Sequence, residues 1–250
     1  MLDQLIARQR WRNLCLTLAV LALALLAALP AEAQFQAERA IDPLAPSLQY
    51  GRYQLHVDCE DVPTACDVVL FGYQNRRPGR WNSVQDTTLQ LVPHRRHTVI
   101  GHKPGYMFHV ESFWPDLLRE PQVHIALRPL EAGLRTDILG IHFLGNQHRL
   151  HPRSLDVAEE LLTWMQDNPE VRIKVIGHVN GADGRRSREF YRRTSFRRAE
   201  VLTDWLVRQG IDRDRLEIDG KGAEALLFAD PLHAWQHEAN RRVEIEVLAH

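Results

Sequence analysis

The stretch Val171-Arg-Ile-Lys-Val-Ile-Gly-His-Val-Asn180 decides the fold. Val171, Ile173 and Val175 alternate with Arg172 and Lys174, the period-two pattern of a strand with one buried face. Upstream, Leu155, Ala158, Leu161, Leu162 and Met165 recur at steps of three and four and fall on one helical face. Asn168-Pro169 ends that helix, because proline disfavours helical geometry in the residue before it. Before the helix, Ile138, Ile141 and Phe143 read as another strand. Downstream a basic loop leads to a second amphipathic helix carrying Phe196, Ala199, Leu202, Trp205 and Leu206, which Gly210 ends. Val243-Glu-Ile-Glu-Val247 is the last strand. The order is β-α-β-α-β, which predicts an α/β sandwich with helices over one sheet face.

At the N-terminus, Arg8, Arg10 and Arg12 precede an uncharged run from Leu14 to Leu29, then Pro30 and Ala31-Glu32-Ala33. This is the pattern of a secretory signal over residues 1–33, with cleavage leaving Gln34 first. The rival reading is an uncleaved anchor, for which the run falls short of the roughly 20 residues that span a bilayer. Cys15 follows no small residue and does not read as a lipoprotein acylation site. Residues 34–47 read as a linker.

Residues 48–129 carry short segments of strand character: Tyr53-Leu55-Val57, Val68 to Phe71, Thr88 to Leu91, Thr98 to Ile100, Met107 to Val110, and Val123-Ile125-Leu127. Turn signals stand at Arg77-Pro78-Gly79 and Lys103-Pro104-Gly105, and a small β-sandwich is the expected packing. The chain as a whole is therefore read as α+β. Cys59 and Cys66 lie where export would preserve a local disulfide; two unpaired thiols are the alternative, and zinc has no further Cys or tight His pair to use. The Lys-Pro-Gly-Tyr106 turn and the closing Val-x-Ile-x-Leu127 strand resemble carboxypeptidase-regulatory-like or transthyretin-like accessory modules, a resemblance that implies a spacer or docking surface. His94 and His97, flanking Arg95 and Arg96, read either as a metal or anion site or as a solvated loop.

Several motifs in the second half occur together. Ile173-Lys-Val-Ile-Gly-His-Val-Asn180 is followed by Ser195-Phe-Arg-Arg-Ala199, Gly210-Ile-Asp-Arg-Asp-Arg-Leu216, Gly220-Lys-Gly222 and Asn240-Arg-Arg-Val-Glu-Ile245. From about Gly133 to the end the chain resembles the OmpA-like C-terminal domain, shared by OmpA-type porins, peptidoglycan-associated lipoproteins and flagellar stator B subunits. The resemblance implies non-covalent binding of peptidoglycan through the diaminopimelate of its stem peptide. The free end of that residue bears a carboxylate and an ammonium on one carbon, so its site needs a fixed cation and a fixed anion. Arginine supplies a planar, permanently charged fork for the carboxylate, and an aspartate accepts from the ammonium.

Carried over by motif position, the arginine is Arg198, a nearby asparagine is Asn146, and the first arginine of Asn-Arg-Arg is Arg241. The anion divides two ways. Counted from the strand end, the family aspartate falls on Asn180; counted back from Arg198, it falls on Asp183, three residues later. A strand end is pinned by pairing while a loop absorbs insertions, which favours Asn180 in the site. A neutral amide there would about halve the strength of a charge-assisted contact. Tyr191 and Thr194-Ser195 also depart from the family pattern of Asn and Leu-Ser.

Composition narrows the alternatives. The 250 residues balance 31 basic against 32 acidic side chains, which gives no global field to collect nucleic acid. Arginine crowds the stretch from Arg185 to Arg198, as a solvated face or as a patch for acidic glycans, lipid headgroups or an acidic protein. Gly220-Lys-Gly222 lacks the spacing of a phosphate loop, and His178 reads as structural. No Ser-His-Asp signature or His-x-x-Glu-His motif is evident, so neither an enzyme nor a cofactor is expected. The expectation is an exported protein of the periplasm or cell envelope of a Gram-negative bacterium. Its partners are peptidoglycan and an envelope membrane complex, with membrane contact only through a retained N-terminal segment. The alternatives are an OmpA-like assembly module that has lost cell-wall binding, and an enzyme acting on cell-wall polymer.

Overall fold

Alternation in the first strand builds the first layer. In β1 (Gly51–Cys59) Tyr53, Leu55 and Val57 are buried while Gln54 and His56 are exposed. In the computed structural model, the described residues are 51–59, 62–71, 79–91, 96–113, 122–144, 149–181 and 186–250. The segments read as signal (1–33) and linker (34–47) lie outside them, as do Cys15, Arg77, Pro78, His94, Arg95, Asn146, Asp183 and Arg185. The chain divides into two units, residues 1–49 and Tyr50–His250, and every described residue belongs to the second.

β1 pairs antiparallel with β2 (Val62–Pro63) and β5 (Asp86–Leu91), and parallel with β8 (Gln122–Leu127). A second, antiparallel sheet has the order β4 (Gly79–Val84), β3 (Cys66–Phe71), β6 (His97–His102), β7 (His109–Phe113). Cys66, Val68, Leu70 and Val99 of this sheet share one apolar cluster with Tyr53, Leu55, Leu89, Ile125 and Leu127 of the first. The disulfide expected between Cys59 and Cys66 is not formed. Both are free thiols, on strands of different sheets, and both pack into this cluster. Burial, then the charge of Asp67, pushes the Cys66 thiol up to about 12, against the opposing pull of Lys103.

The third sheet has the order β11 (Leu216–Gly220), β10 (Arg172–Gly177), β12 (Val243–Ala249), β9 (Arg135–Ile138), with β10 and β11 parallel and the other pairs antiparallel. Its helices are α1 (Leu155–Asp167), α2 (Arg188–Arg208) and α3 (Ala234–Asn240). The expected β-α-β-α-β pattern is thus extended by strand β11 and helix α3. The strand expected through Phe143 ends at Ile138, where Gly140 turns the chain with φ +99°; Phe143 pairs only with Leu150, in an isolated bridge. The strand expected from Met107 begins instead at His109. Met107 N–H is taken by the carbonyl of Arg128, and Leu130 N–H by that of Gly105, so this segment ties to the chain beyond β8.

Helix α1 joins the second and third sheets. Val69 and Ile100, on the faces of β3 and β6 opposite the first cluster, pack with Met107, Phe108, Ala158, Leu161, Trp164, Ile173 and Ile245 in a second apolar cluster. Trp164 is fully buried, lies 6.0 Å from Phe108 ring to ring, and donates from Nε1 to the Tyr106 carbonyl at 2.8 Å. The Lys103-Pro104-Gly105 turn, with Gly105 at φ +80°, donates its Gly105 N–H to Asn168 Oδ1 at 2.7 Å. Glu160, only 1% exposed, pairs with Arg80 and lies 3.6 Å from His102 Nε2. Burial opposes its ionisation, but hydrogen bonds from His102 and Arg80 and their charges outweigh that and hold the carboxyl below the usual glutamate range. Leu155 and Phe196, expected on core faces, are 37% and 38% exposed.

Candidate functional site

Two glycines set the depth of α2. Gly177 of β10 and Gly220 of β11 are register partners, and α2 crosses directly over them. A Cβ on Gly177 would lie 1.9 Å from the Ser195 carbonyl oxygen, and one on Gly220 would lie 2.5 Å from Phe196 N. Ser195 is fully buried; its Oγ donates to the Arg192 carbonyl and accepts from Gly222 N, each at 2.8 Å. Lys221 N–H donates to the Gly177 carbonyl at 3.0 Å. Gly220-Lys-Gly222 is therefore a seat for the helix, and Ser195 is the peg that fixes its rotation. Arg198 stands one turn further along.

Arg198 opens into a cavity of about 810 Å³. Helix α2 supplies Arg198, α3 supplies Glu238 and its C-cap Arg241, and the chain after β9 supplies His142, Phe143 and His151; Phe71 and Thr98 come from the second β-sheet, and Arg96 precedes its strand β6. The guanidinium of Arg198 lies 5.4 Å from the centre of the Phe143 ring, and its buried Nε has no hydrogen-bond partner among the described residues. Burial, then the charge of Arg241, lowers its pKa. A guanidinium does not discharge under these conditions, so an entering anion relieves this electrostatic cost. His142 is shifted down by burial, and the charges of Arg96, His151 and Arg241 add to that against the pull of Glu238.

Phe143 is held by its own loop. His142 N–H donates to Ser154 Oγ at 2.8 Å, that hydroxyl donates back to the His142 carbonyl at 3.1 Å, and Leu144 N–H donates to the Arg149 carbonyl. Asn146 lies outside the described residues. Of the Asn-Arg-Arg motif, each residue has a separate task. Asn240 is fully buried and donates from Nδ2 to the Phe228 carbonyl, and Arg242 is buried with Nε 2.5 Å from Asp137 Oδ1. Arg241, exposed, is left for the cavity.

The structure therefore brings Arg198 and Arg241 together and leaves Asn180 apart. Asn180 does not line the cavity; its Oδ1 accepts from Asn240 Nδ2 at 2.9 Å and its Nδ2 reaches His237 Nδ1 at 2.9 Å, so its amide braces α3. Asp183, the other candidate, lies outside the described residues. Among the arginines of α2 and the residues just before it that are described, Arg188 pairs with Glu224 and Arg197 with Glu200, each at 2.7 Å, and Arg186 lies over Phe190; Arg198 alone lines this cavity. His178 is buried, its Nε2 3.1 Å from Glu244, and His97 is buried against Phe113. No three His, Cys, Asp or Glu side chains group as a metal site among the described residues. Glu238 and Phe143 were not candidates from sequence. Glu238 stands three residues before Arg241, which caps the C-terminal end of α3.

Among solved structures, the chain is similar to the peptidoglycan-associated lipoprotein from Burkholderia pseudomallei, at 16% identity and TM-score 0.37 over 44% of this chain and 88% of that one. It is also similar to a putative MotB-like protein from Desulfovibrio vulgaris (22%, TM-score 0.39, covering 46% and 74%). A third is the cell wall anchor of the T6SS from Pseudomonas aeruginosa (20%, TM-score 0.37, covering 43% and 75%). No curated protein matches the sequence. Residues 142–241, which hold Arg198, Arg241 and the glycine seat beneath α2, match the model of the OmpA family.

Proposed function

We propose that this is an envelope protein that binds peptidoglycan non-covalently, taking the diaminopimelate carboxylate of the stem peptide at Arg198 with Arg241 beside it. The carrying observation is the half-buried Arg198 guanidinium over Phe143, its Nε without a partner among the described residues and a second arginine on the same cavity, at the wall of a space large enough for a peptide end. Export to the Gram-negative envelope, and an enzyme-free role as a binding module, belong to the same proposal. The β-layers are read as a small sandwich that serves as a rigid docking platform, because α1 buries Trp164 and Glu160 against them.

A second reading has its own support. Asn180 spends its amide on Asn240 and His237, as an assembly module that had given up the family carboxylate would. Co-sedimentation with purified insoluble sacculi separates the two. Wild type pellets with the sacculi, and Arg198→Ala weakens binding by roughly 10- to 100-fold, the worth of hydrogen bonds to a charged group. Arg198→Lys recovers part of it, because a point charge replaces the bidentate fork. Wild type remaining in the supernatant rejects the cell-wall reading in favour of the assembly module.

A further inference from the structure

A zwitterionic centre places its two charges on one carbon, so whatever receives its ammonium must share the cavity with Arg198 and Arg241. Asn180 does not meet that condition, since both ends of its amide are engaged with α3. Among the described residues lining the cavity, Glu238 is the single carboxylate. It projects from the last turn of α3, and the Arg241 N–H caps that turn by donating to the Glu238 carbonyl at 2.9 Å, so the acid and the base are fixed relative to each other by backbone. Glu238 is half exposed, at 48%, and its partner among the described residues is Arg96 Nη1, 3.6 Å from Oε2. That spacing is an ion pair too long for a hydrogen bond and leaves the carboxylate able to accept from a second donor.

Resting on the peptidoglycan reading above, we infer that Glu238 receives the ammonium of the ligand's zwitterionic centre, in place of the family carboxylate, and that Arg96, at the start of strand β6, positions it. Arg96 is itself steadied by Ser112 Oγ, 3.4 Å from Nη2 on the neighbouring strand β7. The β-layer then belongs to the binding site: remove Arg96 and Glu238 loses its lateral restraint. The charges agree with this assignment. Arg96, Arg153, Arg198 and Arg241 face one carboxylate across the cavity, so the lining has cations to spare for acidic groups but one place for an ammonium. His142 lines the same cavity as Glu238, Arg96 and Arg241, and the charges of all three act on it.

The test uses three soluble tripeptides, L-Ala-γ-D-Glu-diaminopimelate, the same peptide with the side-chain amine acetylated, and the same peptide with the side-chain carboxylate amidated. Calorimetry on the full chain reads their affinities. Wild type binds the first best and loses affinity on either modification. Glu238→Gln binds the parent peptide roughly five- to tenfold more weakly and no longer distinguishes it from the acetylated peptide, while remaining sensitive to amidation. Arg96→Gln retains the preference for the free amine, in reduced degree, as a positioning role requires. If Glu238→Gln still discriminates against the acetylated peptide, or if discrimination disappears in Asp183→Asn instead, this inference is overturned while the Arg198 reading stands. If wild type binds none of the peptides, both fall.

Discussion

Replacing Gly177 by alanine tests whether the seat beneath α2 fixes the site. The added Cβ would stand 1.9 Å from the Ser195 carbonyl oxygen and 2.7 Å from its carbon, whereas real Cβ contacts stay beyond 3.0 Å. Backbone cannot rotate away as a side chain can, so α2 must retreat by about 1.1 Å, the difference between 3.0 and 1.9 Å. A gap of that size forfeits up to roughly half of the dispersion well at each facing atom. Leu202 and Leu206, fully buried beneath α2, each owe about 1.5–3 kcal/mol to burial, so the pair loses roughly 1.5–3 kcal/mol. The bond from Gly222 N to Ser195 Oγ stretches as well, at about 1 kcal/mol. The expected total is about 2.5–4 kcal/mol. Gly133→Ala is the control: nothing lies within 4 Å of its Cβ, but its φ of +90° strains any L residue, at a cost of about 1–2 kcal/mol. Urea unfolding of the two variants should therefore rank Gly177→Ala as the more damaging by about 1–2 kcal/mol. Equal losses would show that α2 is not seated by close backbone contact and that the glycine seat does not fix the position of Arg198.

The remaining expectations concern the join between the β-layers and α1, and the thiols. The Glu160 carboxyl is held below its unfolded range, so the stability it contributes is complete above the ordinary glutamate value of about 4.3 and is lost as pH falls through the lower folded value. Thermal melting between pH 3 and 6 should show Glu160→Gln with a shallower acid slope than wild type; an unchanged slope would remove Glu160 from the account of that join. Cys66, buried and with its thiol pushed up to about 12, stays protonated at pH 8. Maleimide labelling followed by peptide mass mapping should mark it only after unfolding, and rapid native labelling of Cys66 would contradict the packing given to it.

Much of the α/β half was legible because its motifs coincide with backbone contacts. Gly177, Ser195, Gly220 and Gly222 meet at one point, where hydrogen bonds and close approach leave little freedom in residue type. The motif that names Arg198 is thus a record of how the helix is seated, and the position of the arginine follows from it. Strand β4 was missed for the opposite reason: it is an edge strand with Arg80, Asn82 and Ser83 exposed, and its sequence has no apolar alternation to read. Leu216-Glu-Ile-Asp-Gly220 does alternate, but over five residues, so pairing with β10 rather than pattern makes it a strand.

The two-sided burial of α1 was written in the β-layer and not in the helix. Glu160 reads as solvent-facing in a helical pattern, and Trp164 lies off the stripe of Ala158, Leu161 and Met165, yet both are buried against the second sheet. The signal was the unbroken apolar runs Val68-Val69-Leu70 and Val99-Ile100, because a strand covered on one face alternates and a strand covered on both does not. Those runs demanded a second covering layer, and α1 is the element that supplies it. The same fusion explains why the site was only half readable. Arg198 and Arg241 carry motif positions, whereas Arg96 and Glu238 meet only because the second sheet and α3 are both carried to the cavity mouth, from positions 142 residues apart in sequence. A pair created by the packing of two layers has no local signature, so the half of the site that depends on it could be found only from the fold.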